Sequence, residues 1–205
     1  TSNLIYLVQD IVGGRPLDFV IRIGALVLYS AAVALSVWLP KHTAVNNKIL
    51  SILIDGGAAI LLGFLPKHMN PVLGLYPIFF AMAFQWCSFK GIGGYNSATV
   101  FSTNNLRQFV SAVTLFADEK KQEHLQKLKF YGGTLLSFHV GVGAACVAWQ
   151  FFDVTSIWLC FLALPAAFGL AVYEHSLTIE PDITMEVEPE AIKNAINKNA
   201  VQQIG

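Results

Sequence analysis

Charge is what this sequence has least of. Its 205 residues carry 13 Lys and Arg against 13 Asp and Glu, 13% in all, where a soluble domain carries about twice that share. Basic residues are few and scattered, which excludes a nucleic-acid footprint. Only three cysteines are present, Cys87, Cys146 and Cys160, all in apolar runs and without CxxC spacing. They read as small buried hydrophobes rather than a disulfide framework or a zinc site. His42, His68, His124 and His175 are too dispersed for a metal centre. There is no phosphate loop and no nucleophile–base pair, so neither a catalytic set, a metal nor a cofactor is expected, and the chain is not read as an enzyme.

What is abundant is apolar side chain, 55% of residues with a mean hydropathy of +0.56. A soluble domain of this size has too little interior to hide so much. The expected fold is all-α: a polytopic transmembrane helical bundle with lipid as its solvent. A bilayer core needs about 20 apolar residues of helix. Five stretches qualify: Phe19–Leu39, Ile49–Leu65, Leu73–Phe89, Phe130–Phe152 and Val154–Tyr173. Pro40-Lys41-His42 and Pro66-Lys67-His68 end the first two, and a tight turn at Asp153 divides the last two. Ser97–Phe116 is apolar but rich in amides and hydroxyls, and reads as a helix that is broken, re-entrant or turned toward protein. Asp118–Lys129 reads as a solvated helical extension. Residues 1–175 therefore form the membrane domain, and 176–205 a polar, acidic cytoplasmic tail that is either a short helix or disordered.

An internal repeat organises these spans. Thr1-Ser2-Asn3-Leu4 with Val8 matches Thr103-Asn104-Asn105-Leu106 with Val110, and Gly24–Tyr29 lies against Gly133–Phe138. The unit is a Thr-x-Asn-Leu junction followed by two spans. The first copy (1–66) lacks the leading span that Leu73–Phe89 supplies to the second (72–175). The chain opens at Thr1 straight into an apolar run, so a helix ahead of Thr1 is expected in a longer protein. Two three-helix units would lie in opposite orientations, an arrangement that recurs in secondary transporters with the site between copies. In that layout ten of the 13 basic residues fall on one side and three on the other, which places the tail in the cytoplasm.

The junctions and Gln85 carry a resemblance. The chain looks like the YoaK family of bacterial membrane proteins of unknown function. That family has a Thr-Gly-Asn end to its first helix, a later Gln-Asn pair, a glycine pair, a degenerate second junction and a small-residue pattern. Gln85 stands at the glutamine with Trp86 in place of the asparagine. Gly93-Gly94 stands at the glycine pair, and Ser102-Thr103-Asn104-Asn105 at the second junction. Gly141-Val142-Gly143-Ala144 stands near the small-residue pattern. The resemblance covers residues 1 to 175 and implies a bacterial inner membrane and, by analogy, transport.

Few residues are candidates for chemistry. Asp55 sits mid-span beside Gly56-Gly57, and an acid at bilayer depth usually faces protein or marks an ion route. The bland alternative is an acid near the interface or one held neutral by burial. His139, ten residues into its span, is either a proton relay or a hydrogen-bonded packing residue. Gln85, Ser102, Thr103, Asn104 and Asn105, with Asn3 in the first copy, are either a polar patch at a broken helix or inter-helix hydrogen bonds. Gly24, Gly132, Gly133, Gly141 and Gly143 suit close helix packing. The expected function is a small secondary transporter or permease of unknown substrate. The alternative is a membrane scaffold or regulatory subunit whose tail docks a partner. Expected partners are the lipid bilayer and a small solute or ion. A homo-oligomer is left open, and nucleic acid is not expected.

Overall fold

The computed structural model describes residues 2–66, 68–89, 91, 95 and 102–177. Among them the chain is predominantly helical, with no strand. The glycine pair Gly93-Gly94, residues 97–101, the Asn3 side chain and nearly all of the tail expected at 176–205 fall outside that description.

Helix α1 is Ser2–Val12 and α2 is Pro16–His42. Pro16 opens α2 at a position whose N–H has no helical partner anyway, and Asp18 lies in the first turn, where an acid suits the helix dipole. After a short extended link, Asn46 caps α3 (Asn47–Gly63) by accepting from the backbone N–H groups of Lys48 and Ile49.

The expected span Leu73–Phe89 is instead two helices, α4 (Pro71–Gly74) and α5 (Tyr76–Ser88). Pro77 is the reason. It lacks an N–H to extend a helix from α4 and fits the first turn of a new one. At 13 residues α5 is about 20 Å long, short of a bilayer core. It lies between α2 and α3, packing against both. Ala32, Ala83 and Phe84 are buried at the centre of this trio, with Tyr29, Val33, Leu50, Ile54 and Phe80 around them. The alanines let the backbones approach closely.

Helix α6 (Ser102–Glu119) is continuous, so the expected break in this region does not occur within 102–119. Lys120, with φ of 49°, ends it, and α7 (Gln122–Phe152) comes next as one 31-residue helix packed on α6. The expected solvated extension is thus the last turn of α6, a break at Lys120, and the first two turns of α7. Asp153 adopts φ of 53° and ends α7. The next ten residues, Asp153–Leu162, form a 3-10 segment, not the α-helix expected there. Three residues per turn align every third side chain. Trp158 and Phe161 therefore lie in one row, with Leu164 just beyond the segment, and α3 receives these side chains at two glycines seven residues apart. A Cβ on Gly56 would touch Phe161 and Leu164, and one on Gly63 would collide with the Trp158 indole.

The second compact unit, Pro165 onward, is helical through residue 177.

The surface is far more apolar than that of a water-soluble bundle, and several polar residues are buried beside the apolar core. Asp10, Ser36, Ser51, Ser88 and Asn105 are buried, while Leu53, Leu61, Phe64, Leu136, Phe151 and Leu162 are exposed. Two stretches, Pro16–His42 and Gln122–Leu177, are long and apolar enough to cross a membrane. Both observations are compatible with a membrane protein.

Candidate functional site

Helix α3 carries polar residues at Asn47, Ser51 and Asp55. The spacing of four puts them on one face, rising about 6 Å per step. Each holds a buried oxygen without a hydrogen-bond partner: Asn47 Oδ1, Ser51 Oγ and Asp55 Oδ1. Ser51 is fully buried. Its hydroxyl differs from other helical hydroxyls here. Those of Ser36, Ser88, Thr114 and Thr134 each donate to a carbonyl three or four residues back, whereas Ser51 Oγ does not.

The upper end of the row is fixed by Asn47. Its Nδ2 donates to the Ser36 carbonyl at 2.7 Å. The lower end is bounded by small residues, since Ala58 and Ala59 continue the buried face one turn beyond Asp55. The thiol of Cys160 on the 3-10 segment lies within electrostatic reach of the Asp55 carboxyl. Among the described residues no cationic side chain pairs with Asp55, unlike Asp10 and Glu119, which are both in ion pairs. A row of oxygens without partners is costly to bury. Chemically, all three can receive hydrogen-bond donors or a cation, and the Ser51 hydroxyl can also donate.

The other sequence candidates are distributed elsewhere. His139 is exposed on α7, and its Nδ1 lies 2.7 Å from its own helix's Leu135 carbonyl. Gln85 is half-buried in α5, within the α2–α3–α5 group. Asn105 is buried in α6, which packs on α7. Asn104 accepts from Arg107 at 3.2 Å; Ser102 is half-buried and Thr103 exposed. The amides of Gln85 and Asn105 thus sit in different helix groups. Of the glycines, Gly24 meets the Tyr76 hydroxyl, and Gly132 lies 2.9 Å, measured from a built Cβ, from the Phe109 ring. Gly133, Gly141 and Gly143 face open space.

One cluster escaped the sequence reading. The Asp10 carboxylate is fully buried and meets Arg22 Nε at 2.6 Å and Arg15 Nη2 at 2.8 Å. Arg22 also lies over the Tyr6 ring, 4.8 Å from its centroid. These contacts fasten α1 to the start of α2. The signal was an acid near the end of one apolar helix with two arginines just past the turn.

Neither a curated protein nor a solved structure matches the chain. A family model described as a protein of unknown function, DUF1275, matches residues 1–170. A polar acceptor row in an otherwise apolar helical chain is accordingly a feature met within an uncharacterised family, and the chain belongs to DUF1275.

Proposed function

We propose that this chain is a small multi-pass membrane permease, a secondary transporter whose solute path runs along the Asn47–Ser51–Asp55 face of α3. The observation that carries the reading is the set of three buried, partnerless oxygens on consecutive turns of one apolar helix. Lipid would leave such groups unsatisfied, and polar groups kept at membrane depth usually face a cavity or a passing ligand.

Two further features agree with it. The stretch 71–88 is divided into α4 and the short α5, the kind of discontinuous helix found at transporter sites. The placement of the two junctions agrees with it as well. Helices α1 and α6 both begin at the Thr-x-Asn-Leu junctions, and each packs on the long helix after it, α2 and α7. Inverted three-helix units, a bacterial inner membrane and a cytoplasmic tail belong to the same proposal. They rest on the repeat, on the charge asymmetry and on the resemblance to the YoaK family.

The test is flux. Purified protein is reconstituted in liposomes and uptake of radiolabelled small polar solutes and ions is measured. The expected result is saturable uptake of one class, lost in Asp55→Asn. Uptake no greater than that of protein-free liposomes across the panel would overturn the reading.

A further inference from the structure

The chemistry of the α3 row narrows what it receives. All three partnerless atoms can accept, and one belongs to a carboxylate that pairs with no cationic side chain among the described residues. An anion would meet repulsion from Asp55 and find only the Ser51 hydroxyl as a free donor. A neutral acceptor could take that hydroxyl but would leave the other two oxygens unsatisfied. What completes the set is a group that is positive or rich in hydrogens.

Charge sets the valence. One carboxylate balances one positive charge. Calcium takes six to eight oxygens, commonly from several carboxylates, and magnesium keeps most of its water. The row offers a single carboxylate, short of a calcium site, and the described residues contain no group of three His, Cys, Asp or Glu side chains able to hold a metal. Geometry sets the place. Ser51 Oγ and Asp55 Oδ1 are one helical turn apart on the same face, so one small cation between them is within reach of both. Ser51 is suited to this because its hydroxyl is not engaged by a helix carbonyl. Asn47 Oδ1 lies a further turn along, too far to share the ion and well placed as the next acceptor on its way in or out.

We infer that Ser51 and Asp55 form a binding site for one monovalent cation, either an alkali-metal ion or the ammonium head of a small amine. The inference rests on the permease reading and names the class of solute or coupling ion that the same face takes.

Thermal unfolding of the purified protein in detergent tests it. Sodium, potassium and methylammonium chlorides are each titrated against choline chloride at constant ionic strength, at pH 6 and pH 8. One of the three is expected to raise the melting temperature saturably, by on the order of 5 °C at a hundred times its dissociation constant. An alkali response identifies an inorganic ion, and a methylammonium response an amine. Asp55→Asn, nearly isosteric with the native residue, should abolish the shift, and Ser51→Ala should raise the half-saturating concentration about tenfold. If Asp55→Asn does not fold, Ser51→Ala alone decides by that change. No salt-specific shift at either pH, a shift that persists in Asp55→Asn, or an unchanged half-saturation in Ser51→Ala overturns the site. A melting temperature that answers only to pH also overturns it, in favour of a proton. Flux in liposomes separates the two claims: binding without flux refutes the permease and keeps the site, while flux without cation binding does the reverse.

Discussion

The side-chain amide of Asn47 donates to the backbone carbonyl of Ser36 across 2.7 Å. In a regular helix that carbonyl would accept from the N–H of residue 40, but residue 40 is proline and has none. Asn47 on α3 thus supplies the bond that Pro40 removes from α2, and the two helices are joined where one of them is locally incomplete. Asn47→Ala should destabilise the protein by on the order of 1 kcal/mol, because a part-buried carbonyl loses its donor. In a Pro40→Ala background the same substitution should cost distinctly less, since residue 40 then provides the N–H. Unfolding midpoints of the four proteins in this cycle measure the coupling.

Removing Arg22 leaves the fully buried Asp10 carboxylate with Arg15 alone, which is half exposed. Breaking a buried pair by deleting one partner costs about 3 kcal/mol or more. Arg22→Ala should therefore release α1, seen as faster proteolysis within residues 2–15 and a lower melting temperature. Arg15→Ala should cost less, about 1 kcal/mol, because its guanidinium is largely solvated.

Two glycines of α7 should respond in opposite directions to the same change. A Cβ at Gly132 would come within 2.9 Å of the Phe109 ring on α6, whereas Gly141 has nothing within 4 Å. Gly132→Ala should destabilise by about 1–3 kcal/mol through overpacking. Gly141→Ala should be neutral or stabilise by up to about 1 kcal/mol, from helix propensity alone. Parallel thermal unfolding in detergent checks both, and equal effects would contradict the placement of these residues.

The turn between α6 and α7 should give a small acid-side pH dependence. Hydrogen bonds from Lys121 and His124 and the Lys121 charge hold the Glu119 carboxyl below its ordinary value of 4.5, and the same pairing raises the Lys121 ammonium. A depressed carboxyl contributes stability that is fully present above pH 4.5 and is lost as pH falls through its folded value. Glu119→Gln should remove that part of the pH profile and leave the profile between pH 6 and pH 7 unchanged. Salt at 0.5 M should weaken it in the native protein, because the group is exposed. Melting temperatures across pH 3–7 report both.

The sequence made Asp55 visible because an acid inside an apolar run is conspicuous alone. Asn47 and Ser51 are ordinary residues one by one. Their four-residue spacing was there to be read, but only burial shows that the face they share is interior. The Asp10 cluster needed the α1–α2 turn to bring residues 12 apart together, which composition does not report. Pro77 announced the division of Leu73–Phe89, and hydropathy alone hid it because both pieces are apolar. No local signal marked Asp153–Leu162 as 3-10. Its tighter winding aligns Trp158 and Phe161 with Gly63 and Gly56, a fit between distant segments. His139 attracted notice as a lone titratable group, yet its ring nitrogen meets its own helix carbonyl on an exposed face.

Water access to the α3 face decides whether the polar row lines a solute path. In a background with Cys87, Cys146 and Cys160 replaced by serine or alanine, Ser51→Cys and Leu53→Cys are each treated in membrane vesicles with a charged thiol reagent. Ser51 is buried among protein, and Leu53 is 58% exposed on the apolar surface. A hydrated path reverses the reactivity that exposure alone would give, because the reagent attacks a thiolate and thiolates form in water. The account predicts that Ser51→Cys is labelled and that Leu53→Cys, facing lipid, is not. An inert Ser51→Cys beside a reactive Leu53→Cys would contradict it, showing a dry row on a helix whose apolar face meets water.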